Sequence, residues 1–119
     1  MKRLGFFCCL AVLTAADRDQ RFFDTRVAPI LIQRCLACHN EQLKNGNISF
    51  LDRDSLIKVI TPGDPQSSKL IDTLRHDGDI QMPPGPKLPS REIAILTEWI
   101  KRGAVWGTKL RRPAPPHSP

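Results

Sequence analysis

Phe23, Val27, Ile30, Leu31 and Leu36 recur at roughly helical intervals among polar neighbours, the spacing of one apolar face on a 3.6-residue repeat. Pro29 interrupts this run. Because it lacks an N–H and crowds the preceding turn, it predicts a helix start or a bend, with the helix running from about Pro29 to Ala37. KNGN at 44–47 reads as a turn and ISFL after it as a short extended piece. In LDRDSLIKVI, Asp52 suits an N-cap for a helical turn or two. The TPGDP loop at 61–65 leads into another helix, capped by Asp64 or Ser67 and reading through Leu70, Ile71 and Leu74 to about Arg75. Residues 76–90, HDGDIQMPPGPKLPS, are too rich in proline and glycine for regular structure and too long for a plain connector, which marks a candidate functional loop. The clearest helix is SREIAILTEWIKRG, with Ser90 as cap, Ile93, Leu96, Trp99 and Ile100 on one face, Lys101 and Arg102 in the last turn and Gly103 as stop. The pattern predicts a mostly α chain of about four short helices, with no convincing sheet.

The two ends stand apart from this pattern. MKRLGFFCCLAVLTAA opens on Lys2 and Arg3, continues as an apolar run from Leu4 to Leu13 and closes on small residues, the plan of a secretory signal cut after about Ala16. A membrane anchor is the alternative, but a span needs roughly 20 apolar residues and this run is shorter. Lipid attachment at Cys8 or Cys9 is opposed by the bulky Phe6 and Phe7. RRPAPPHSP at the other end is proline-rich and predicts disorder. The chain of 119 residues thus divides into a signal peptide at 1–16, one domain at 17–108 and a disordered tail at 109–119. No integral membrane span is expected once the signal is removed.

Losing the signal changes the inventory. Of four cysteines only Cys35 and Cys38 remain, and Met82 becomes the only methionine. The formal charge of +6 falls to +4, because the 18 basic residues become 16 against 12 acidic ones. These charges are interspersed rather than clustered, which argues against a nucleic-acid binder and suits an acidic cofactor or a steered partner. Aromatic residues are few, namely Phe22, Phe23, Phe50, Trp99 and Trp106. A core this thin favours a bound group that adds apolar surface.

RCLACHN at 34–40 supplies a reason for such a group. Cys35 and Cys38 on adjacent helical turns point their thiols to one side, and His39, four residues after Cys35, shares that face. C-x-x-C-H is the attachment pattern of a c-type haem, in which two thiols add to the porphyrin vinyl groups and the imidazole binds iron. Zinc would need a second ligand pair, and His76 and His117 lie in surroundings unlike a zinc knuckle. A redox dithiol would need a strand before the motif, and a disulfide between Cys35 and Cys38 would close too small a loop to stabilise much. For the second axial position Met82 is favoured: a soft thioether, flanked by Pro83 and Pro84, among polar residues rather than on an apolar face. His76 is the rival ligand. Pro62 is a candidate acceptor for the other ring N–H of His39.

Four pieces in order, VAPILIQRCLACHN, PGDPQSSKL, RHDGDIQMPP and EWIKRGAVW, resemble the small planctomycete-type cytochrome c domain, within the class I cytochrome c group. The likeness runs from Phe23 to Trp106. It implies a small cytochrome c-like fold of about four short helices around one covalently bound haem c, with Cys35 and Cys38 as thioether residues, His39 as proximal ligand and Met82 as distal ligand. An iron with both axial positions filled is expected to carry single electrons rather than to catalyse, in the periplasm or another extracytoplasmic space. The expected partner is a redox protein, such as a larger exported oxidoreductase. The alternative is a haem enzyme or sensor in which Met82 dissociates to open the iron, and a third reading is an accessory module docked to such an enzyme.

Overall fold

The computed structural model describes residues 13–36, 39, 49–50, 53–108 and 110. Of the expected signal peptide only residues 13–16 are described, and of the proline-rich tail only residue 110. Cys38, the KNGN turn and Asp52 lie outside the described residues.

A helical run opens the fold well before Pro29. Helix α1 (Ala15–Phe22) is started by a capping box: the Thr14 hydroxyl accepts from the Asp17 N–H, and the Asp17 carboxylate accepts from the Thr14 N–H. The run continues through a π turn (Phe23–Val27) into α2 (Ala28–Arg34). The π turn explains how a proline sits inside the run. Ala28 donates to the carbonyl five residues back, Phe23 O, so the backbone is widened in the turn just before Pro29, where an α-helix would crowd the ring and lack a donor. The expected break at Pro29 is therefore a local widening.

At the other end α2 stops at Arg34, three residues earlier than the sequence predicts. Leu36 N–H reaches back to Leu31 O at 3.0 Å, a five-residue closure that ends the regular ladder. Beyond it, His39 N–H donates to Cys35 O at 3.0 Å.

Helix α3 (Arg53–Leu56) is a single turn. A 3-10 turn (Pro65–Ser67) is capped by Asp64, which accepts from Ser67 N–H, and leads into α4 (Lys69–Leu74). Buried Ser68 joins the two: its hydroxyl accepts from Thr61 N–H at 2.8 Å and donates to Asp64 O at 2.9 Å. Helix α5 (Ser90–Lys101) begins one residue earlier than expected. Pro89 is its N-cap and Ser90 its first residue, because the Pro89 carbonyl already accepts from Glu92 and Ile93 N–H. The end of α5 follows expectation. Gly103 adopts φ 101° and Ala104 φ 54°, while Gly103 N–H bonds Ile100 O and Ala104 N–H bonds Trp99 O, the paired closure of a Schellman motif. With the run 15–34 taken as one, four helices and no strands make up the described residues, a mostly helical architecture compatible with a small cytochrome c fold.

The core lies where the π turn, α4 and α5 meet. Phe23, Leu31, Leu56, Ile71, Leu96, Trp99 and Ile100 are fully or almost fully buried in it. Phe23 packs against Trp106 at 4.4 Å and Trp99 at 5.7 Å between ring centroids. The Trp99 indole N–H finds its acceptor at Val105 O, 2.9 Å away, as a buried indole requires. Beyond α5 the chain is clasped to the π turn: the Asp24 carboxylate accepts from Thr108 N–H at 2.7 Å and from the Thr108 hydroxyl at 3.0 Å.

Candidate functional site

Three helical ends and one loop surround a cavity of about 450 Å³. That volume lies in the range of roughly 300–1,000 Å³ typical of small-molecule and cofactor pockets. Cys35 and His39, one turn apart just beyond α2, line one part of it, and Met82 with Pro83 and Pro84 from the proline-rich loop line another. Phe50, Val59, Leu70, Leu74 and Leu88 make the wall apolar. Arg34, Lys58 and Lys69 bring cationic side chains to the same lining.

His39 is held by a residue the motif does not reveal. Buried Phe50 stacks on its ring, with centroids 5.0 Å apart and planes 24° from parallel, and Phe50 N–H donates to His39 O at 2.7 Å. One residue thus holds the histidine twice, its main-chain N–H fixing the backbone and its ring fixing the imidazole plane. Pro62, the candidate acceptor for the ring, is exposed, and the Gly63 N–H beside it donates to Ile100 O at 2.7 Å.

Cys35 is half-buried. Burial pushes its thiol up to about 12, against the opposing pull of the Arg34 charge. A thiol kept protonated is a poor nucleophile at neutral pH, which speaks against a redox dithiol. Arg34 itself is pinned by a two-pronged bond to Glu92 of α5, at 2.9 and 3.1 Å. The Glu92 hydrogen bond and charge raise the Arg34 pKa further. Arg34 and Glu92 are 58 residues apart, and no local pattern pairs them.

Met82 is anchored through its backbone. Its N–H donates to Thr73 O at 3.0 Å, and its carbonyl lies 3.1 Å from Nε2 of His76. His76, the rival ligand, is therefore engaged with the Met82 backbone, and it does not line the cavity. Of the expected site residues, Cys35, His39 and Met82 come together on one cavity, and Cys38 lies outside the described residues.

The family model described as Planctomycete cytochrome C matches residues 35–86. The chain carries a planctomycete-type cytochrome c domain. No curated protein and no solved structure matches the chain. The matched segment begins at Cys35 and takes in every cavity-lining residue except Arg34 and Leu88. A cytochrome c domain is a haem-binding domain that holds haem c covalently, generally carries electrons and is typically extracytoplasmic. Among the described residues no helix is long and apolar enough to cross a membrane. The cavity suits that cofactor on its own chemistry: a thiol, an imidazole and a thioether face an apolar space, with cations available for acidic substituents.

Proposed function

We propose that the chain is an exported cytochrome carrying one haem c, attached through Cys35 and Cys38, with His39 and Met82 as axial ligands, and that it transfers single electrons without catalysing a reaction. The observation that carries this reading is the arrival of His39 and Met82 on one apolar cavity from chain positions 43 apart. When bound, the haem supplies a one-electron couple. The chain's residues set how that couple behaves. Met82 contributes a thioether, which favours ferrous iron. Phe50, Leu70, Leu74 and Leu88 keep the cavity dry, and a dry wall penalises the more highly charged oxidised form. Lys58 and Lys69 offset the cofactor's carboxylates. Phe50 holds the His39 plane, and the Thr73 carbonyl fixes the Met82 backbone, so little needs to rearrange between oxidation states.

Transient encounters with a redox partner, such as a larger exported oxidoreductase, follow from interspersed basic side chains and a small contact. The basic start and apolar run at the N-terminus support export, and with it an exchange in the periplasm or another extracytoplasmic space.

The test is an absorption spectrum of the exported protein, oxidised and reduced, together with its intact mass. A covalent haem adds its mass to the chain, and the ferrous form should resist carbon monoxide at neutral pH. Met82→Ala should keep the haem attached, admit carbon monoxide and lower the potential. A colourless protein of bare polypeptide mass refutes the haem reading. A Met82→Ala variant with unchanged spectrum and potential refutes the ligand. Ready carbon monoxide binding by the unaltered protein would favour an enzyme or sensor instead.

A further inference from the structure

The loop that presents Met82 is closed at its neck. It leaves α4 at Arg75 and returns at Met82, and its tip is exposed from Asp77 to Gln81, Ile80 among them. Apolar packing therefore contributes little to holding the tip. Hydrogen bonds at the neck take its place. Met82 N–H bonds the Thr73 carbonyl in the last turn of α4 at 3.0 Å, an oxygen that His76 N–H also reaches at 3.3 Å. The Gln81 side-chain amide donates to His76 O at 3.2 Å. His76 Nε2 meets the Met82 carbonyl at 3.1 Å. A carbonyl oxygen only accepts, so Nε2–H is the donor. His76 reaches this position from a left-handed backbone, φ 59°, uncommon for a residue with a side chain. That conformation turns the chain back at the end of α4 and aims the ring at Met82.

We propose that His76 is a positioning residue for Met82: its Nε2–H bond to the Met82 carbonyl holds the thioether on the cavity wall and so keeps the sixth iron position closed. This rests on the reading of Met82 as axial ligand. Without the imidazole only the Thr73 bond tethers the Met82 backbone, and the fraction of protein with the thioether withdrawn rises. The apparent affinity for an external ligand rises in proportion to that open fraction. The net worth of one hydrogen bond corresponds to roughly a fivefold change.

The experiment compares holoprotein carrying His76→Ala, His76→Gln and Met82→Ala with the unaltered holoprotein. The readouts are carbon monoxide affinity of the ferrous form and the long-wavelength sulfur-to-iron charge-transfer band of the ferric form. His76→Ala should bind carbon monoxide about fivefold more tightly than the unaltered protein and show a weakened band. His76→Gln, whose amide N–H can replace the donor, should recover most of both. If Met82→Ala opens the iron but His76→Ala matches the unaltered protein in both readouts, the positioning role is wrong and the ligand stands. If Met82→Ala changes neither readout, the ligand reading itself fails. A measurement without substitution guards against a variant that does not fold. In nitrogen-resolved NMR of the unaltered ferrous protein, the His76 Nε2 proton should exchange slowly, and an unprotonated or rapidly exchanging Nε2 overturns the proposal.

Discussion

Phe50 is the residue through which fold stability and the site are most directly coupled. It is 4% exposed, stacks on His39 at 5.0 Å and donates its N–H to His39 O. Replacing it by alanine removes a buried ring and leaves a cavity, which costs about 3–5 kcal/mol. Of this, about 0.5–1.5 kcal/mol belongs to the ring-on-ring contact with His39. The backbone bond to His39 O survives, because it uses the main-chain N–H. Phe50→Leu retains most of the apolar volume and loses mainly the stacking, so its cost should stay below about 1.5 kcal/mol. Urea unfolding of the holoprotein, followed by circular dichroism, separates the two. With a slope of about 1–1.5 kcal/mol per molar for a chain of this size, Phe50→Ala should lower the midpoint by about 2–5 M and Phe50→Leu by about 1.5 M or less. The haem absorption band should report loss of the His39 ligand earlier in the alanine variant than the backbone signal reports unfolding. A Phe50→Ala midpoint within about 0.5 M of the unaltered protein would refute the claim that this ring supports both core and ligand.

Two further outcomes follow from the clasp and the thiol. Gly107→Ala would bring a Cβ against Asp24 Oδ1, to 2.7 Å from Asp24 Cγ and to 2.9 Å from the Gln20 carbonyl. To make room, the Asp24 carboxylate must leave Thr108, so about 2 kcal/mol of stability should be lost through two hydrogen bonds. In an Asp24→Ala background the same substitution should cost less, since only the contact with the Gln20 carbonyl remains, and an equal cost in both backgrounds, read by denaturant midpoints, would refute the clash with Asp24. In the haem-free chain, Cys35 is held protonated by burial up to about 12, above its ordinary 9.0. Between those values the unfolded chain has released this proton and the folded chain has not, so the haem-free fold should lose stability as pH rises from 9 toward 12. Iodoacetamide should label Cys35 faster in urea than in buffer at pH 8, and equal rates would contradict the shift.

The parts of this domain that were readable in advance were those in which chemistry is local. The apolar face of SREIAILTEWIKRG and its glycine stop predict α5, since both depend on a 3.6-residue period and a left-handed cap. The C-x-x-C-H run names its chemistry because two thiols and an imidazole fall within five residues. Met82 stands out because a thioether between prolines and polar residues has no local core to join. Where local rules compete, the reading from sequence slips. Pro29 predicts a helix start, yet a π turn carries the helix past it from Ala15, and the cost of the missing donor is met by widening the backbone. Ser90 resembles a cap, but the neighbouring proline carbonyl accepts those N–H groups first.

What sequence alone determined is the kind of chemistry: the donor types, their spacing around residues 35–39 and the mostly helical build, all set by contacts within a turn or two of the chain. The tertiary structure alone decided which distant groups serve that chemistry. Phe50 beneath His39, Glu92 gripping Arg34 and His76 turned onto the Met82 backbone instead of the cavity all depend on how separate helices pack. Such pairings arise from filling space and satisfying buried polar groups across the whole fold, and neither requirement leaves a periodic trace in the order of residues.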